Sequence, residues 1–205
     1  MLTAFTASLL LITVSELGDK TFFIAAILAM RHRRRWVFAG AIAALALMTI
    51  LSALIGQAAT LLPQSVVKWA EVSLFALFGV KLLRQSSQMS AIAKGAEEKE
   101  AAEAVARAEQ AESKQQETPL AIITEVFGLI FIAEWGDRTQ IATIALAAAN
   151  HPAGVVLGAV LGHAVCAAIA TNCGRWLCRR ISERTLTALG GGLFLLFAVL
   201  ALISA

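Results

Sequence analysis

Long apolar runs alternate with short polar joints along this chain. Reading for helical stretches of about 20 apolar residues gives six, at roughly 2–30, 36–62, 66–83, 119–149, 153–178 and 186–204. Pro63, Pro119 and Pro152 all fall at the edges of these stretches, where a missing backbone N–H costs least. Trp36, Trp69 and Trp176 also lie near their ends, as an interfacial aromatic belt would have them, and Trp135 alone lies deep. Residues 85–118 break the pattern. Positions 96–117 are rich in Ala, Glu, Lys and Gln, with no Gly or Pro and no apolar stripe. Good helix formers with no face to bury predict a solvated helix or a disordered tether. The chain thus divides into an N-terminal half, 1–84, a charged linker, 85–118, and a C-terminal half, 119–205.

The halves are related. A shift of 118 positions carries Glu16, Gly18 and Asp19 onto Glu134, Gly136 and Asp137, Gly40-Ala41 onto Gly158-Ala159, and Gly56 onto Gly174. With one more residue inserted, LFALFGVKLL at 74–83 aligns with LFLLFAVLAL at 193–202, identical at six of ten positions. Three spans per half place the second half in the membrane upside down relative to the first. The expected fold is therefore an all-α polytopic membrane protein, six transmembrane helices in two inverted three-helix repeats, with a midplane site where the repeats meet.

Composition agrees: 59% of the 205 residues are hydrophobic and the mean hydropathy is +0.76, above the soluble range. The net charge of +3 does not point to nucleic acid. Apart from Lys20, Arg138 and Lys68, the basic residues flank the joints after the first, third and fifth spans. By the positive-inside rule those joints are cytoplasmic and both termini face outward. Cys166, Cys173 and Cys178 are odd in number, lack zinc-type spacing with histidine, and read as small residues at helix contacts. The N-terminal run has no basic start and no cleavage site, so it reads as a retained helix.

Against this background one string stands out, and it occurs twice. Glu16-Leu17-Gly18-Asp19-Lys20-Thr21 lies in the first span and Glu134-Trp135-Gly136-Asp137-Arg138-Thr139 in the fourth. An ionisable group at bilayer depth costs roughly 2.5–3.5 kcal/mol, so such residues mark function. On a continuous helix Glu16, Asp19 and Lys20 share one face, as do Glu134, Asp137 and Arg138. If the two faces meet, four carboxylates and two cations leave two negative charges, which one divalent cation neutralises; Lys20 and Arg138 have the alternative of turning away to neighbouring carbonyls. Without the metal, burial and mutual repulsion bring protons in its place. A site that holds either one dication or about two protons is the minimum apparatus of an antiporter.

Other residues refine the picture. Gly18 and Gly136 permit close helix approach, or local unwinding that frees carbonyl oxygens. Without unwinding, Thr21 and Thr139 point to the back of their helices and serve only packing. Gln140 stays near the ion face and adds an oxygen; its counterpart Phe22 cannot. Oxygen donors suit Mg²⁺, Ca²⁺ and Mn²⁺ better than Cu or Zn. His163 is a lone intramembrane histidine, open to a proton-relay role, to a nitrogen-ligand role or to simple packing. Glu125 has an entry or a structural role open to it. Glu71, near the start of its span, reads as a solvated end charge or a vestibule ligand.

SELGDKTFFIAAILAMR at 15–31 and AEWGDRTQ at 133–140 resemble the two signature motifs of uncharacterised protein family 0016, the Golgi-type Mn²⁺/Ca²⁺–H⁺ antiporter family of the lysine-exporter superfamily. The doubled E-x-G-D-[KR]-[TS] pattern is specific, and the resemblance covers both halves. It implies exchange of Mn²⁺, and in some members Ca²⁺, for protons, with no prosthetic group. It maps the family's acidic motif residues onto Glu16, Asp19, Glu134 and Asp137, with Lys20, Thr21, Arg138, Thr139 and Gln140 as neighbours. The expected setting is a bacterial inner membrane, with cytosolic manganese exported and the lipid bilayer, a dication and protons as partners. Ca²⁺/H⁺ exchange is the alternative; an intramembrane aspartyl protease, a passive cation channel and an assembly factor stand further off. A protease needs two aspartates sharing a proton, whereas each Asp here neighbours a cation and a glutamate.

Overall fold

The computed structural model describes residues 1–89, 96–111, 118–180 and 182–203, with the side chains of 96, 109–111 and 174–180 left aside. The expected features at 90–95 and 112–117, the Trp176 and Cys178 side chains and the end of the sixth span at Ser204 lie outside these residues. The described residues fold into helices: α1 (Leu2–Glu16), α2 (Lys20–Arg31), α3 (Arg34–Ala59), α4 (Gln64–Gln88), α5 (Ala96–Ala111), α6 (Pro119–Ala133), α7 (Arg138–Ala149), α8 (Pro152–Arg180) and α9 (Glu183–Ile203).

The first and fourth apolar stretches are not continuous helices. Each is cut at its repeated string, into α1 and α2 and into α6 and α7, the second pair bent by 76°. Among the described residues α3, α8 up to Cys173 and α9 are long and apolar enough to cross a bilayer, and α6 with α7 makes a bent fourth candidate. α1 is apolar but short, and α4 carries Lys68, Glu71, Lys81 and Arg84. Six hydropathy segments thus become fewer unbroken apolar helices because the repeated strings interrupt two of them and charges dilute α4. α6 starts where the sequence says it should: Thr118 caps it, accepting from the Ala121 N–H at 3.2 Å, and Pro119 takes the first turn.

Packing pairs elements across the halves. α1 lies along α8 and α6 along α3; α2 packs on α8 and α7 on α3; α4 runs against α9. Exchanging α1–α4 for α6–α9 maps these pairs onto one another, so a two-fold relation accounts for the set. The offset-matched glycines do matching work. A Cβ on Gly40 would stand 2.7 Å from the Ile123 carbonyl oxygen of α6, and one on Gly158 would strike Phe5 and Ser8 of α1. Each glycine lets a long helix approach the short helix that ends at an acidic string, the small-residue logic of packing in lipid. Cys166 likewise sits at the α8–α1 contact, its thiol donating to the Thr13 carbonyl.

The outer faces are apolar. Leu47, Ile50 and Leu54 on α3 and Leu157, Leu161 and Val165 on α8 form exposed stripes at helical spacing, as lipid-facing surfaces require. Trp135 is also on this outside, 65% exposed beside Phe131. Glu71 is buried rather than a solvated end charge.

The linker also departs from expectation. α5 does have a face to bury: Ala101 and Val105, four residues apart, are enclosed in the core cluster formed with Phe22, Phe23, Ala26 and Val126. Two small apolar side chains in an Ala/Glu background give too weak a stripe to see in the sequence. Placing an unpaired charge there costs about 3 kcal/mol or more. Val105→Asp should therefore release α5, seen as faster amide exchange across 97–111 with α3 and α8 unchanged. Unaltered protection would show that this contact does not hold α5.

Candidate metal centre

The two strings build the centre by breaking their helices. Gly18 and Gly136 have φ of 79° and 84°, and among the described residues they alone take positive φ. α1 ends at Glu16, the chain turns through Leu17 and Gly18, and Asp19 starts α2 in extended conformation. In the second copy Glu134 closes α6, and Asp137 starts α7, its carboxylate accepting from the Thr139 N–H at 3.4 Å. The N-termini of α2 and α7 and the C-termini of α1 and α6 are thereby brought to one place, with unpaired helix-end groups available to charge.

The break re-aims the threonines. On an unbroken helix, residues five apart point roughly 140° away from each other. Here Thr21 Oγ1 donates to Glu16 Oε2 at 3.1 Å, and Thr139 Oγ1 reaches Glu134 Oε2 at 3.3 Å and Asp137 Oδ2 at 3.2 Å. The condition under which these hydroxyls would face away, an unbroken helix, does not hold here. Each orients its repeat's glutamate.

One carboxylate oxygen each from Glu16, Glu134 and Asp137 lies within 4.8 Å of the other two, a spacing one cation can bridge. Glu16 and Glu134 are buried and Asp137 is half-buried. Glu16 Oε1 is enclosed without a hydrogen-bond partner, as a ligand atom awaiting a cation would be. Asp19 is not in this group. It pairs across the repeats with Arg138. Lys20 turns away to Glu100 of α5, Nζ to Oε1 3.0 Å. Glu97 of α5 lines a small cavity with Arg138, Gly18 and Leu186; burial raises its carboxyl's pKa, with Arg138 opposing. Gln140 lies beside Glu134, but its Oε1 accepts from the Gly136 N–H at 2.7 Å. His163 stands next to Glu16, Nδ1 to Oε2 4.0 Å. Glu125 is apart from the centre, 3.8 Å from His32 Nε2.

The sequence reading put all four motif acids and both cations on converging faces. The structure joins three acids, gives the fourth to Arg138 and sends Lys20 to the linker. The Asp19–Arg138 pair and the seat of α5 had no local sequence signal, because both arise between segments far apart in the chain.

Comparison with known proteins gives a consistent result. The model of a family described as "Divalent cation/proton antiporter GDT1" matches residues 4–90 and 122–205. The chain is 56% identical over 201 residues to GDT1-like protein sll0615 of Synechocystis, covering 98% of this chain and 97% of that protein. It is 44% identical over 208 residues to GDT1-like protein 2, chloroplastic, of rice, and 43% identical over 208 residues to Protein PAM71-homolog, chloroplastic, of Arabidopsis thaliana. These alignments take in 95% of this chain but only 59% and 57% of the two plant proteins. No solved structure matches.

The two glycines differ in what a side chain would meet. A Cβ on Gly136 has open space, so Gly136→Ala carries only the left-handed backbone penalty, about 1 kcal/mol. A Cβ on Gly18 would also stand 2.6 Å from Leu186 Cδ1. Both variants should melt below the parent in detergent, Gly18→Ala lower than Gly136→Ala. The reverse order, or no change in either, would contradict the broken-helix geometry.

Proposed function

Because the chain belongs to the GDT1 family of divalent cation/proton antiporters, which are transporters and not enzymes, we propose that it exchanges Mn²⁺ for protons across a bacterial inner membrane and exports the metal from the cytosol. The observation that carries this is the meeting of Glu16, Glu134 and Asp137 at two opposed helix breaks. Carboxylate, hydroxyl and carbonyl oxygens suit Mn²⁺. The same donors accept Ca²⁺, which is the second reading.

The charge balance also changes from the sequence-based one. Arg138 neutralises Asp19, and Lys20 is occupied by Glu100, so three acids remain uncompensated. A dication plus one retained proton neutralises them, and so do three protons. Two protons therefore exchange for one metal ion, and each turnover moves no net charge. Burial makes neutrality decisive, since an uncompensated charge in low dielectric costs several kcal/mol. The half-exposed Asp137 is the acid from which an incoming ion first gains contact, and the wholly enclosed Glu16 the one it reaches last.

Six spans in two inverted repeats, with both termini outside, are part of this reading. The cross-half pairing of α1 with α8 and α6 with α3 supports it, as does the placement of basic residues beside the expected cytoplasmic joints. A shared-proton aspartate pair is not favoured, because Asp19 is engaged by Arg138 and Asp137 by Thr139.

In proteoliposomes an imposed pH gradient should drive Mn²⁺ uphill, and clamping the membrane potential should leave the rate unchanged. Metal flux indifferent to collapse of the pH gradient would reject coupling; flux steered by voltage would reject the two-for-one balance. Glu16→Gln and Asp137→Asn should each cut exchange at least about 100-fold, since each removes a charged ligand from a buried site. Parental rates in either variant would remove that residue from the centre.

A further inference from the structure

Beside Glu134, one of the three acids, lies a small cavity with different chemistry. It is a cavity of about 10 Å³, room for one water or one bare ion, between α3 and α8 on one side and the second string on the other. Met48 and His163 face Glu134, Thr139 and Gln140 across it. Met48 and His163 are both nearly inaccessible to solvent, 3% and 5% exposed.

Several details make this more than a packing gap. Gln140 Nε2 stands 2.9 Å from Met48 Sδ, in an orientation fixed by the Gly136 N–H at the other end of the amide. The thioether thus faces the polar side of the cavity and does not merely fill apolar space. His163 Nδ1 is buried with no hydrogen-bond partner and lies 4.0 Å from Glu16 Oε2, so the ring that lines the cavity also reaches a second acid. Thr49, Ser52 and Thr143 also line the space, and each hydroxyl gives its proton to a carbonyl of its own helix, at 2.8 Å. Their oxygen lone pairs are left for a donor or a cation.

We infer that this cavity is an inner metal subsite in which Met48 and His163 select a transition-metal dication over Ca²⁺. The inference rests on the transport reading above and adds to it the residues that discriminate. Ca²⁺ wants six to eight oxygens and gains little from sulfur or imidazole. First-row dications take an imidazole nitrogen more readily than Ca²⁺ does, in the order of their position in the row, and the softer Cd²⁺ takes thioether sulfur as well. An ion held by the three acids meets oxygen alone. An ion that moves from the acids into this cavity exchanges some of that oxygen for His163 nitrogen and Met48 sulfur, a step that Ca²⁺ makes poorly.

Pulsed electron paramagnetic resonance of Mn²⁺ bound to the full chain in nanodiscs tests this, together with competition between Cd²⁺ and Ca²⁺. Nitrogen modulation from an imidazole ligand is expected in the parent and should vanish in His163→Gln. Met48→Leu conserves volume, so its fold is expected to survive, and its preference for Cd²⁺ over Ca²⁺ should fall about tenfold. Bound Mn²⁺ without nitrogen modulation, or an unchanged Cd²⁺/Ca²⁺ ratio in Met48→Leu, would overturn the subsite and leave the transport reading standing. Failure of the parent to bind Mn²⁺ at all would instead strike the transport reading itself.

Discussion

Glu16, Glu134 and Asp137 stand close enough to repel one another in surroundings that offer little water to screen them, and the rest of the structure answers that repulsion. Three negative charges at such spacing persist only with a cation among them or with protons on them. Nearby positive charge relieves them only in part, because Arg138 is bound first to Asp19 and Lys20 to Glu100. The centre is consequently selective for charge before it is selective for any element. Exchange of metal for protons is the way such a group of acids can be filled, emptied and filled again.

Holding acids from two distant segments at one point needs helices that stop there. Gly18 and Gly136 supply the left-handed turn at which each helix ends, and the residue after each begins a new helix. Had the helices continued, Thr21 and Thr139 would have faced away from the glutamates they now orient. Gly40 and Gly158 then let the long helices α3 and α8 lie close against the short ones that end at the breaks, through backbone contact and not through long side chains. The apolar stripes on the outside leave the bundle immersed in lipid, where the freed backbone groups at the breaks have only the protein's interior and its ion to turn to.

Much of this could be read from residues alone. The doubled string, its constant offset, and the glycines in register pointed to the acids and to a relation between halves, because repetition is a property of the sequence itself. What sequence could not supply were contacts between segments. Lys20 and Arg138 occupy equivalent positions, yet one pairs with the linker and the other with the opposite repeat. α5 has only Ala101 and Val105 to anchor it, too few to register as a stripe. Met48 looked like any apolar residue of α3 until Gln140 was seen beside its sulfur. The third span carries four charges as α4, which lowers its hydropathy below that of the unbroken helices around it.

The central claim is that one dication is gripped by both halves at once. Anomalous scattering at the manganese edge, from crystals of Mn²⁺-loaded protein, addresses it most directly. The account predicts a peak within bonding distance of carboxylate oxygens from Glu16 of the first half and from Glu134 or Asp137 of the second. A peak bound by one half alone, or found only outside the bundle, would contradict it.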